Sequence, residues 1–414
     1  MEIRPILSAL TRNLTGPLLV ACQIALCLAI LANALYIVNL RLSASARPSG
    51  VADEATFGHL SMSPVQRQTH NELLDMQRRG AEAIRGVPGV RAAALVSQIP
   101  LGRSGSSGSV SVDRRQTQQT ANAGFYFATP EVIPTMGLRL VEGRALTEAD
   151  MIEIDPNSQE DKDKAPKVAV VTRELARKMF PNDSSWTGKS FYLGMGDDAP
   201  ELRIVGVVER LQTPWAHASE RAEFSILLPM RMTVPYWRYA VRTEDSAKRD
   251  AVLVAAEEAL RKAFTVPVSI DTRSMEHDRR ERYRNERAMA WMLIAVCALL
   301  LLVTVSGIVG MTMLRVDQRR KQIGVRRALG ATWRDIMRYF ITENLMITSG
   351  GIVAGLLLAV ALNQLLMQQV QMGRLPIAYL AWGAAALWVL GIGAVYGPAS
   401  RAASTPPALA TRTV

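Results

Sequence analysis

The chain has 414 residues, of which 49% are hydrophobic and 21% charged, and its formal net charge is +11. This composition leaves room for membrane spans beside one soluble domain. The positive charge would suit nucleic acid. However, it is concentrated next to apolar runs and has few aromatic residues interleaved, which favours a membrane surface over a nucleic-acid partner. Cys22, Cys27 and Cys297 all lie inside apolar runs, so no disulfide framework is predicted.

Apolar runs dominate the two ends of the chain, and each is long enough to cross a bilayer, which takes about 20 residues. We predict four transmembrane helices, at residues 18–40, 289–314, 341–366 and 378–399. The first run is longer than the roughly 7–15 residues of a signal-peptide core, so we expect it to remain as an anchor. A cleaved signal peptide is the alternative, because Ala44-Ser45-Ala46 resembles a cleavage site.

Basic flanks predict the orientation, since basic residues close to a span hold their side of it in the cytoplasm. They precede the first span (Arg4, Arg12), separate the second from the third, and follow the fourth (Arg401, Arg412). The predicted topology is N-in and C-in. Cytoplasmic residues are 1–17, 315–340 and 400–414, and exported residues are 41–288 and a short loop at 367–377.

The exported segment, residues 41–288, has the pattern of a mixed α/β domain. We predict helices at 66–85, 173–180 and 245–264, and strands at 90–96, 167–171 and 202–208. Thr172 is expected to cap the second helix, and the Gly/Ser stretch at 102–109 is expected to be a flexible loop. The charged residues 273–287 are expected to continue as a helical stalk into the second span.

Motifs for chemistry are incomplete in this chain. Gly188-Lys189-Ser190 resembles the end of a phosphate-binding loop, but Asp183 stands where that loop needs Gly, and a predicted helix precedes it instead of a strand. The acidic run from Asp155 to Glu160 lacks the Gly and the final Glu of a calcium loop. The histidines have no metal-ligand spacing. We therefore expect no catalytic site, cofactor or metal.

Residues 315–340 form the most informative segment, with eight Arg or Lys and two acids between two spans. We expect the helix leaving the membrane to break at Gly330 and to restart at about Trp333, because Thr332 and Asp335 make a capping pattern. Arg326 and Arg327 supply fixed positive charge. Apolar residues recur beside them at helical spacing, which predicts an apolar face. Its members are Leu329, Trp333, Ile336 and Met337.

Small and polar residues within the spans suggest how the helices pack. Gly351-x-x-x-Gly355 and Gly393-x-x-x-Gly397 allow close approach, either within one chain or between two copies. Glu343 is expected to pair with Arg338 or Arg334 near the cytoplasmic edge. No span carries enough inward-facing polar residues to predict a hydrophilic conduit.

Residues 320–331, RKQIGVRRALGA, resemble the cytoplasmic segment R-x-E-I-G-I-R-R-A-L-G-A of the MacB/FtsX family of ABC transporter permeases. Two stretches of the exported segment, 129–144 and 168–208, resemble the family's periplasmic domain. The tail Pro398-Ala399 … Pro407-Ala408-Leu409 is similar to the family's closing pattern. Gln322 stands where the family usually has Glu.

The resemblance implies a non-catalytic permease subunit for efflux or export in the bacterial inner membrane. It would transmit ATP-driven motion from a cytoplasmic ABC ATPase to the periplasmic domain. No ATPase domain precedes the first span, so the ATPase is expected on a separate chain. The coupling contact would involve Arg326, Arg327, Leu329, Gly330, Trp333, Ile336 and Met337.

Further implied partners are a second permease protomer, identical or different, a periplasmic adaptor, an outer-membrane channel and membrane lipid. Three alternatives stay open. The protein could instead be an FtsX-like regulator of a periplasmic cell-wall hydrolase, or a membrane-anchored sensor or scaffold. The apolar face at 329–337 could also lie on lipid headgroups as an interfacial helix.

Overall fold

A computed structural model describes residues 15–102, 104–161, 164–215, 220–370 and 373–404. The chain divides into two compact units, one formed by Met1–Leu42 with Glu286–Val414 and the other by Ser43–Asn285. We call the first the membrane unit and the second, after the predicted topology, the exported unit. The predicted topology signals at Arg4, Arg12 and Arg412 and the tail motif at 407–409 lie outside the described residues.

The helices are α1 Thr15–Ala46, α2 His70–Arg85, α3 Val132–Met136, α4 Arg173–Met179, α5 Arg249–Ala263, α6 Met275–Arg282, α7 Arg284–Gln318, α8 Arg320–Ala328, α9 Trp333–Val370 and α10 Ile377–Ser404. The strands are β1 Phe57–Pro64, β2 Val90–Val96, β3 Ser107–Ser111, β4 Ala121–Ala128, β5 Leu140–Gly143, β6 Ile152–Ile154, β7 Val168–Thr172, β8 Ser190–Leu193, β9 Glu201–Val208, β10 Ser225–Met232, β11 Trp237–Thr243 and β12 Val268–Ser274.

Among the described residues, α1, α7, α9 and α10 are long and apolar enough to cross a membrane. Each contains one of the predicted spans. A helix satisfies its own backbone hydrogen bonds, as a segment in lipid must. The predicted fold class, four transmembrane helices with a mixed α/β domain between the first and the second, is confirmed.

Helix α1 packs at the centre of the membrane unit. Its Ile24 and Leu28 are fully buried. Gly351 and Gly355 let α9 approach α1 closely. A Cβ atom at Gly351 would lie 2.8 Å from the Ala21 carbonyl oxygen, and one at Gly355 would lie 3.0 Å from a backbone atom of α1. These two glycines therefore serve packing within the chain.

One half of the exported unit is a four-stranded antiparallel sheet in the order β12-β1-β11-β2. With α2 between β1 and β2 and α5 between β11 and β12, the chain order is that of a split βαβ fold. One face carries Leu60 and Tyr239, both fully buried against apolar residues of α2 and α5. This packing buries the side chains on one face of the strands against the apolar faces of the two amphipathic helices.

The other half is inserted between β2 and β11 and closes on itself. Pairings run β4-β3-β8-β9-β7-β10, and β10 pairs again with β4, so the ring has no free edge. Closure removes the unpaired backbone groups that an edge strand would expose. Its interior is filled by fully buried Phe191, Ile204, Val207 and Ile226. Strand β2 pairs with β4 in antiparallel fashion, with Val96 opposite Ala128.

Several predicted boundaries in the exported unit were wrong. Helix α2 starts at His70, not at residue 66, because Thr69 and Glu72 form a capping box in which the Thr69 backbone N–H donates to the Glu72 carboxylate at 2.7 Å. Thr172 does not cap α4, since its hydroxyl donates instead to the Glu223 carbonyl at 2.5 Å. The last three residues of the expected Gly/Ser loop, 107–109, belong to strand β3, which runs from Ser107 to Ser111.

The segment before α7 also differs from the predicted continuous stalk. Strand β12 extends to Ser274, whose hydroxyl oxygen accepts from the His277 backbone N–H at 3.3 Å and caps α6. Tyr283 then separates α6 from α7. Its ring is almost fully buried in the core of the exported unit. Burial of this aromatic ring accounts for the interruption, which charge and composition do not reveal.

Candidate coupling surface

The segment between α7 and α9 begins with a short helix, α8, closed by a Schellman motif. The Ala331 N–H donates to the Arg326 carbonyl at 3.0 Å, and the Gly330 N–H donates to the Arg327 carbonyl at 3.1 Å. Gly330 has a φ of +97°, a conformation that glycine adopts without a Cβ clash. The predicted break at Gly330 is therefore present, and a further break at Arg319 separates α7 from α8.

Helix α9 restarts at Trp333 through the predicted capping pattern. The Thr332 hydroxyl donates to an Asp335 carboxylate oxygen at 2.6 Å, and the Asp335 backbone N–H donates to the Thr332 hydroxyl at 3.3 Å. The Thr332 backbone N–H also donates to that carboxylate oxygen at 2.9 Å, so the backbone N–H groups of Thr332 and Asp335 are both satisfied at the start of the helix. The chain direction between α8 and α9 is thus set by local hydrogen bonds at both ends of a turn.

The predicted apolar face divides into an exposed and a buried part. Leu329 is 83% exposed and Trp333 39% exposed, whereas Ile336 and Met337 are 6% and 4% exposed. The prediction that Ile336 and Met337 belong to a free face was wrong, because both pack into the core of the membrane unit. Val325 is 53% exposed, and it lies one turn before Leu329 on α8. We define Val325, Leu329 and Trp333 as the apolar patch.

A buried ion-pair cluster ties the start of this segment to α9. The Arg315 and Arg319 guanidinium groups each lie 3.3 Å from a different oxygen of Glu343, whose side chain is 3% exposed. The prediction that Glu343 pairs with Arg338 or Arg334 was wrong. Arg315, at the end of α7, and Arg319, in the turn before α8, reach it instead, because the end of α7 and the start of α9 pack into the same core. We call Arg315, Arg319, Tyr339 and Glu343 the arginine cluster.

Tyr339 links this cluster to α8. Arg319 Nη1 donates to the Tyr339 hydroxyl at 2.5 Å, and the Arg326 guanidinium carbon lies 5.2 Å from the centre of the Tyr339 ring. The ring therefore positions Arg326, which is exposed, through a cation–π contact. Arg327 is partly buried. Gln322 is exposed, so its amide carries no burial cost.

The arginine cluster was missed as a unit, although a sequence signal exists. Arg315 and Arg319 are four residues apart, as are Tyr339 and Glu343, and such pairs lie on one face of a helix. An i, i+4 pair of basic residues at the end of one span and a complementary i, i+4 pair near the start of the next span predict this contact. The small residues of α10 are placed differently from those of α9. A Cβ atom at Gly393 or Gly397 would meet nothing within 4 Å.

The motifs with weak resemblance to ligand sites have structural roles in the described part of the chain. Gly188 is in a turn with a φ of +88°, and the Lys189 ammonium pairs with the Asp183 carboxylate. That lysine is thus engaged by the acid that a phosphate loop would not contain. Among the described residues, no three His, Cys, Asp or Glu side chains gather as a metal site would require.

This geometry defines a class of multi-pass membrane protein. Its members have an exported α/β unit and a basic, partly apolar segment between the second and third spans. Residues 27–259 match the family of MacB-like periplasmic core domains, and residues 294–407 match the FtsX-like permease C-terminal family. The first match covers more than half of the chain. The chain therefore belongs to the MacB/FtsX family of ABC transporter permeases.

Individual relatives agree with this assignment. The pyoverdine export ATP-binding/permease protein PvdT of Pseudomonas entomophila is 27% identical over 272 residues, which cover 60% of this chain and 38% of that protein. The macrolide export ATP-binding/permease protein MacB of Bdellovibrio bacteriovorus is 27% identical over 272 residues, covering 62% and 40%. The chain thus spans less than half the length of these relatives.

A solved structure of the periplasmic region of MacB from Actinobacillus actinomycetemcomitans is also similar. It has 14% identity and a TM-score of 0.33, and the match covers 55% of this chain and 92% of that one.

Proposed function

We propose that this permease subunit works by mechanotransmission, passing ATP-driven motion from a cytoplasmic ABC ATPase to its exported unit in an efflux or export system. The names of the relatives combine ATP binding with a permease, which supports an ATPase partner for this chain. We expect that ATPase on a separate polypeptide. The permease subunit itself binds the ATPase and transmits its motion, and ATP hydrolysis takes place on the partner.

The observation that carries the proposal is the apolar patch on a segment with defined ends. Leu329 leaves 83% of its surface exposed at the end of α8, a position where burial by a partner gains the most. Removing apolar surface from water contributes about 25 cal/mol per Å². Exposed Arg326 beside the patch would add charge complementarity to an acidic rim.

The arginine cluster supports transmission of force from the patch. Glu343 is bonded to arginines at the end of α7 and in the turn before α8, and Tyr339 contacts Arg326 of α8. A displacement of α8 would therefore be passed to α9 through the contact of Arg326 with Tyr339, and to α7 through the ion pairs of Glu343. Such contacts are costly to break singly, which favours movement of the elements together.

The proposed topology is N-in and C-in in the bacterial inner membrane, with the domain boundaries given above. It places the apolar patch in the cytoplasm with the ATPase. We further propose a dimer of permease protomers, identical or different. The open small-residue face at Gly393 and Gly397 of α10 is a candidate surface for it. A periplasmic adaptor and an outer-membrane channel would complete the export path.

The test is copurification of an ABC ATPase co-expressed from a neighbouring reading frame that carries a Walker A motif. We expect the wild-type chain to retain the ATPase and the double variant Leu329→Asp with Trp333→Asp to lose it. In the variant, carboxylates replace the two apolar side chains that the ATPase would bury. Ala328→Asp is the matched control. It adds an acid at an exposed neighbouring position and leaves the apolar patch unchanged.

Retention of the ATPase by the double variant would contradict the role of the patch. If the double variant instead loses binding to anionic lipid vesicles while ATPase retention is unaffected, the patch is an interfacial lipid-binding surface.

A further inference from the structure

The exported unit contains a cavity of about 310 Å³ beside the junction of β2, β10 and β11. The proposed coupling role does not use this cavity. This volume lies at the lower end of the range of small-molecule sites, roughly 300–1,000 Å³. The lining side chains used below are Phe127, Met230, Met232, Tyr236, Trp237 and Arg238. All of them lie in the exported unit.

The wall of this cavity is mainly apolar and adaptable. Trp237 is 2% exposed and Met230 9% exposed, and Phe127 and Met232 are partly buried. Methionine side chains are flexible and polarizable, and they make favourable contacts with aromatic rings. Methionines and aromatic rings together suit an apolar or aromatic ligand body whose shape is not closely specified.

Arg238 gives the cavity a positive charge that no carboxylate of the described residues contacts directly. Its residue is 5% exposed, yet the contacts of its guanidinium among the described residues are neutral. Nη1 donates to the Ser97 carbonyl at 2.5 Å, Nη2 donates to the Ser104 hydroxyl at 2.8 Å, and the Tyr236 ring centre lies 4.6 Å from the guanidinium carbon. The other N–H groups have no acceptor among the residues that the structure describes.

A buried charge without a counter-ion is costly, and proteins almost always pair it. Burial lowers the pKa of the Arg238 guanidinium, and the charges of Asp278 and Asp271, which it does not contact, offset this only in part. Arginine nevertheless remains charged at neutral pH. The planar guanidinium matches a carboxylate through two parallel hydrogen bonds. An anion from outside the chain would therefore complete this site.

We infer that this cavity binds an amphiphilic organic anion, with the apolar body among Met230, Met232 and Trp237 and the anionic group on Arg238. The inference stands apart from the coupling role, since binding requires neither an ATPase nor nucleotide. A neutral apolar molecule would fill the same space but leave the guanidinium without an anionic group in contact. The site thus distinguishes its ligands by charge as well as by shape.

The test uses 1-naphthoate and its neutral isostere 1-naphthamide. Binding to the full chain in phosphatidylcholine nanodiscs is measured by equilibrium dialysis, with empty nanodiscs subtracted. We expect naphthoate to bind more tightly than naphthamide. Arg238→Gln should weaken naphthoate by about tenfold or more, since hydrogen bonds to charged groups contribute about 1.5–3 kcal/mol, and should leave naphthamide nearly unchanged.

Two further variants separate the site from a general loss of structure. Arg242→Gln is the matched control, because Arg242 lies on the same strand and face but donates to the Thr135 and Ala52 carbonyls. Naphthoate binding should persist in it. Val234→Trp places a large ring at the cavity wall and should abolish binding of both compounds. Equal binding of the two compounds, equal weakening by Arg238→Gln, or unchanged binding in Val234→Trp would overturn the inference.

Discussion

At the scale of single residues, Gly330 shows how one backbone conformation defines the candidate coupling surface. Its φ of +97° brings the Ala331 N–H back onto the Arg326 carbonyl and exposes Leu329 at the end of α8. Any side chain at this position would add steric strain. The exposure of Leu329 is thus a consequence of glycine at the following position.

Gly330→Ala is expected to destabilise the end of α8 by about 1–2 kcal/mol, because alanine pays the left-handed penalty. ATPase retention should fall while the global unfolding temperature changes little, since the segment is local. Gly350→Ala in α9 is the matched control. A Cβ there meets nothing within 4 Å, so no loss is expected. Full ATPase retention by Gly330→Ala would show that the turn does not position the patch.

Glu343 is the residue on which the arginine cluster depends. It compensates both Arg315 and Arg319 from a side chain that is 3% exposed. Glu343→Gln should lower the free energy of unfolding by about 3 kcal/mol, because removal of one partner leaves buried charge unpaired. Thermal unfolding in detergent measures this.

The comparison for Glu343 is an exposed pair of the same type. Glu174 lies 3.2 Å from Arg177 on the surface of α4, and Glu174→Gln should change stability by less than about 1 kcal/mol. Equal effects of the two substitutions would contradict the assignment of Glu343 to a buried structural pair.

At the scale of elements, the two small-residue pairs have different surroundings despite identical spacing. Gly355 of α9 lies against α1, where an added Cβ would be 3.0 Å from backbone and side-chain atoms of Ala25 and Leu28. Gly393 of α10 faces open space. We therefore expect Gly355→Leu to separate α9 from α1 and lower the unfolding temperature, whereas Gly393→Leu leaves the fold of the chain intact.

The same pair of variants tests the proposed dimer. If α10 forms the protomer interface, Gly393→Leu should reduce the dimer fraction in cross-linking while preserving the unfolding temperature. An unchanged dimer fraction would remove α10 from the proposed interface. A lowered unfolding temperature for Gly393→Leu alone would show that this face packs within the chain.

Glu54 connects the segment after α1 to α6 within the exported unit. Arg279 Nε and Nη2 donate to its two carboxylate oxygens at 2.8 and 2.6 Å, and Ser49 Oγ donates at 2.6 Å. Burial by itself would raise the pKa of Glu54, but these hydrogen bonds and the Arg279 charge bring the pKa below its ordinary value. The carboxylate form is thus favoured by folding.

Because the folded-state pKa lies below the unfolded value, the contribution of Glu54 to stability is complete above that value and declines as pH falls through the folded pKa. We expect the unfolding temperature of the full chain to drop below pH of about 4.5, the ordinary value for Glu. The drop should be smaller in Glu54→Gln. Glu258→Gln, at an exposed pair, should follow the wild-type profile. A Glu54→Gln profile identical to wild type would contradict this linkage.

At the scale of the whole molecule, orientation in the membrane decides whether the apolar patch can meet an ATPase. The proposed topology places residues 315–340 in the cytoplasm and the exported unit on the other side. Lys321→Cys and Asp198→Cys, both at exposed positions, introduce one reactive thiol on each side. In intact cells whose outer membrane has been permeabilised, a membrane-impermeant maleimide should label the second and not the first.

The native thiols provide the background for this measurement. Cys22, Cys27 and Cys297 lie in the predicted spans, and replacing all three by serine or alanine removes any residual labelling. Labelling of Lys321→Cys from outside would reverse the orientation and remove the coupling segment from the cytoplasm.

Much of the architecture follows from local sequence properties. The four spans were predicted because about 20 apolar residues in lipid have few alternatives to a helix. The Gly330 break and the Thr332–Asp335 cap were predicted because both depend on residues within one turn. The predicted strands at 90–96, 167–171 and 202–208 coincide with β2, β7 and β9 to within one residue at each end, since buried β-branched runs leave a strong signal.

Other features depend on partners that are distant in the chain. Thr172 does not cap α4 because its hydroxyl donates to the backbone carbonyl of Glu223, 51 residues away. Ile336 and Met337 share helical spacing with Trp333, but whether a side chain on such a stripe is covered depends on which helices surround it. The closed ring of strands required β10 to pair with both β4 and β7, and no local pattern encodes that return.

By itself, the sequence determined the number of spans, the presence of an α/β unit between the first two, the family and the turn that exposes Leu329. These properties arise from hydrophobic length, short-range hydrogen bonds and a contiguous motif. Only the tertiary structure decided which apolar residues remain exposed, which arginines hold Glu343, and that Arg238 is buried at a cavity wall with no described carboxylate in contact. Burial and charge compensation are properties of surroundings, and the surroundings of a residue exist only once distant segments have packed.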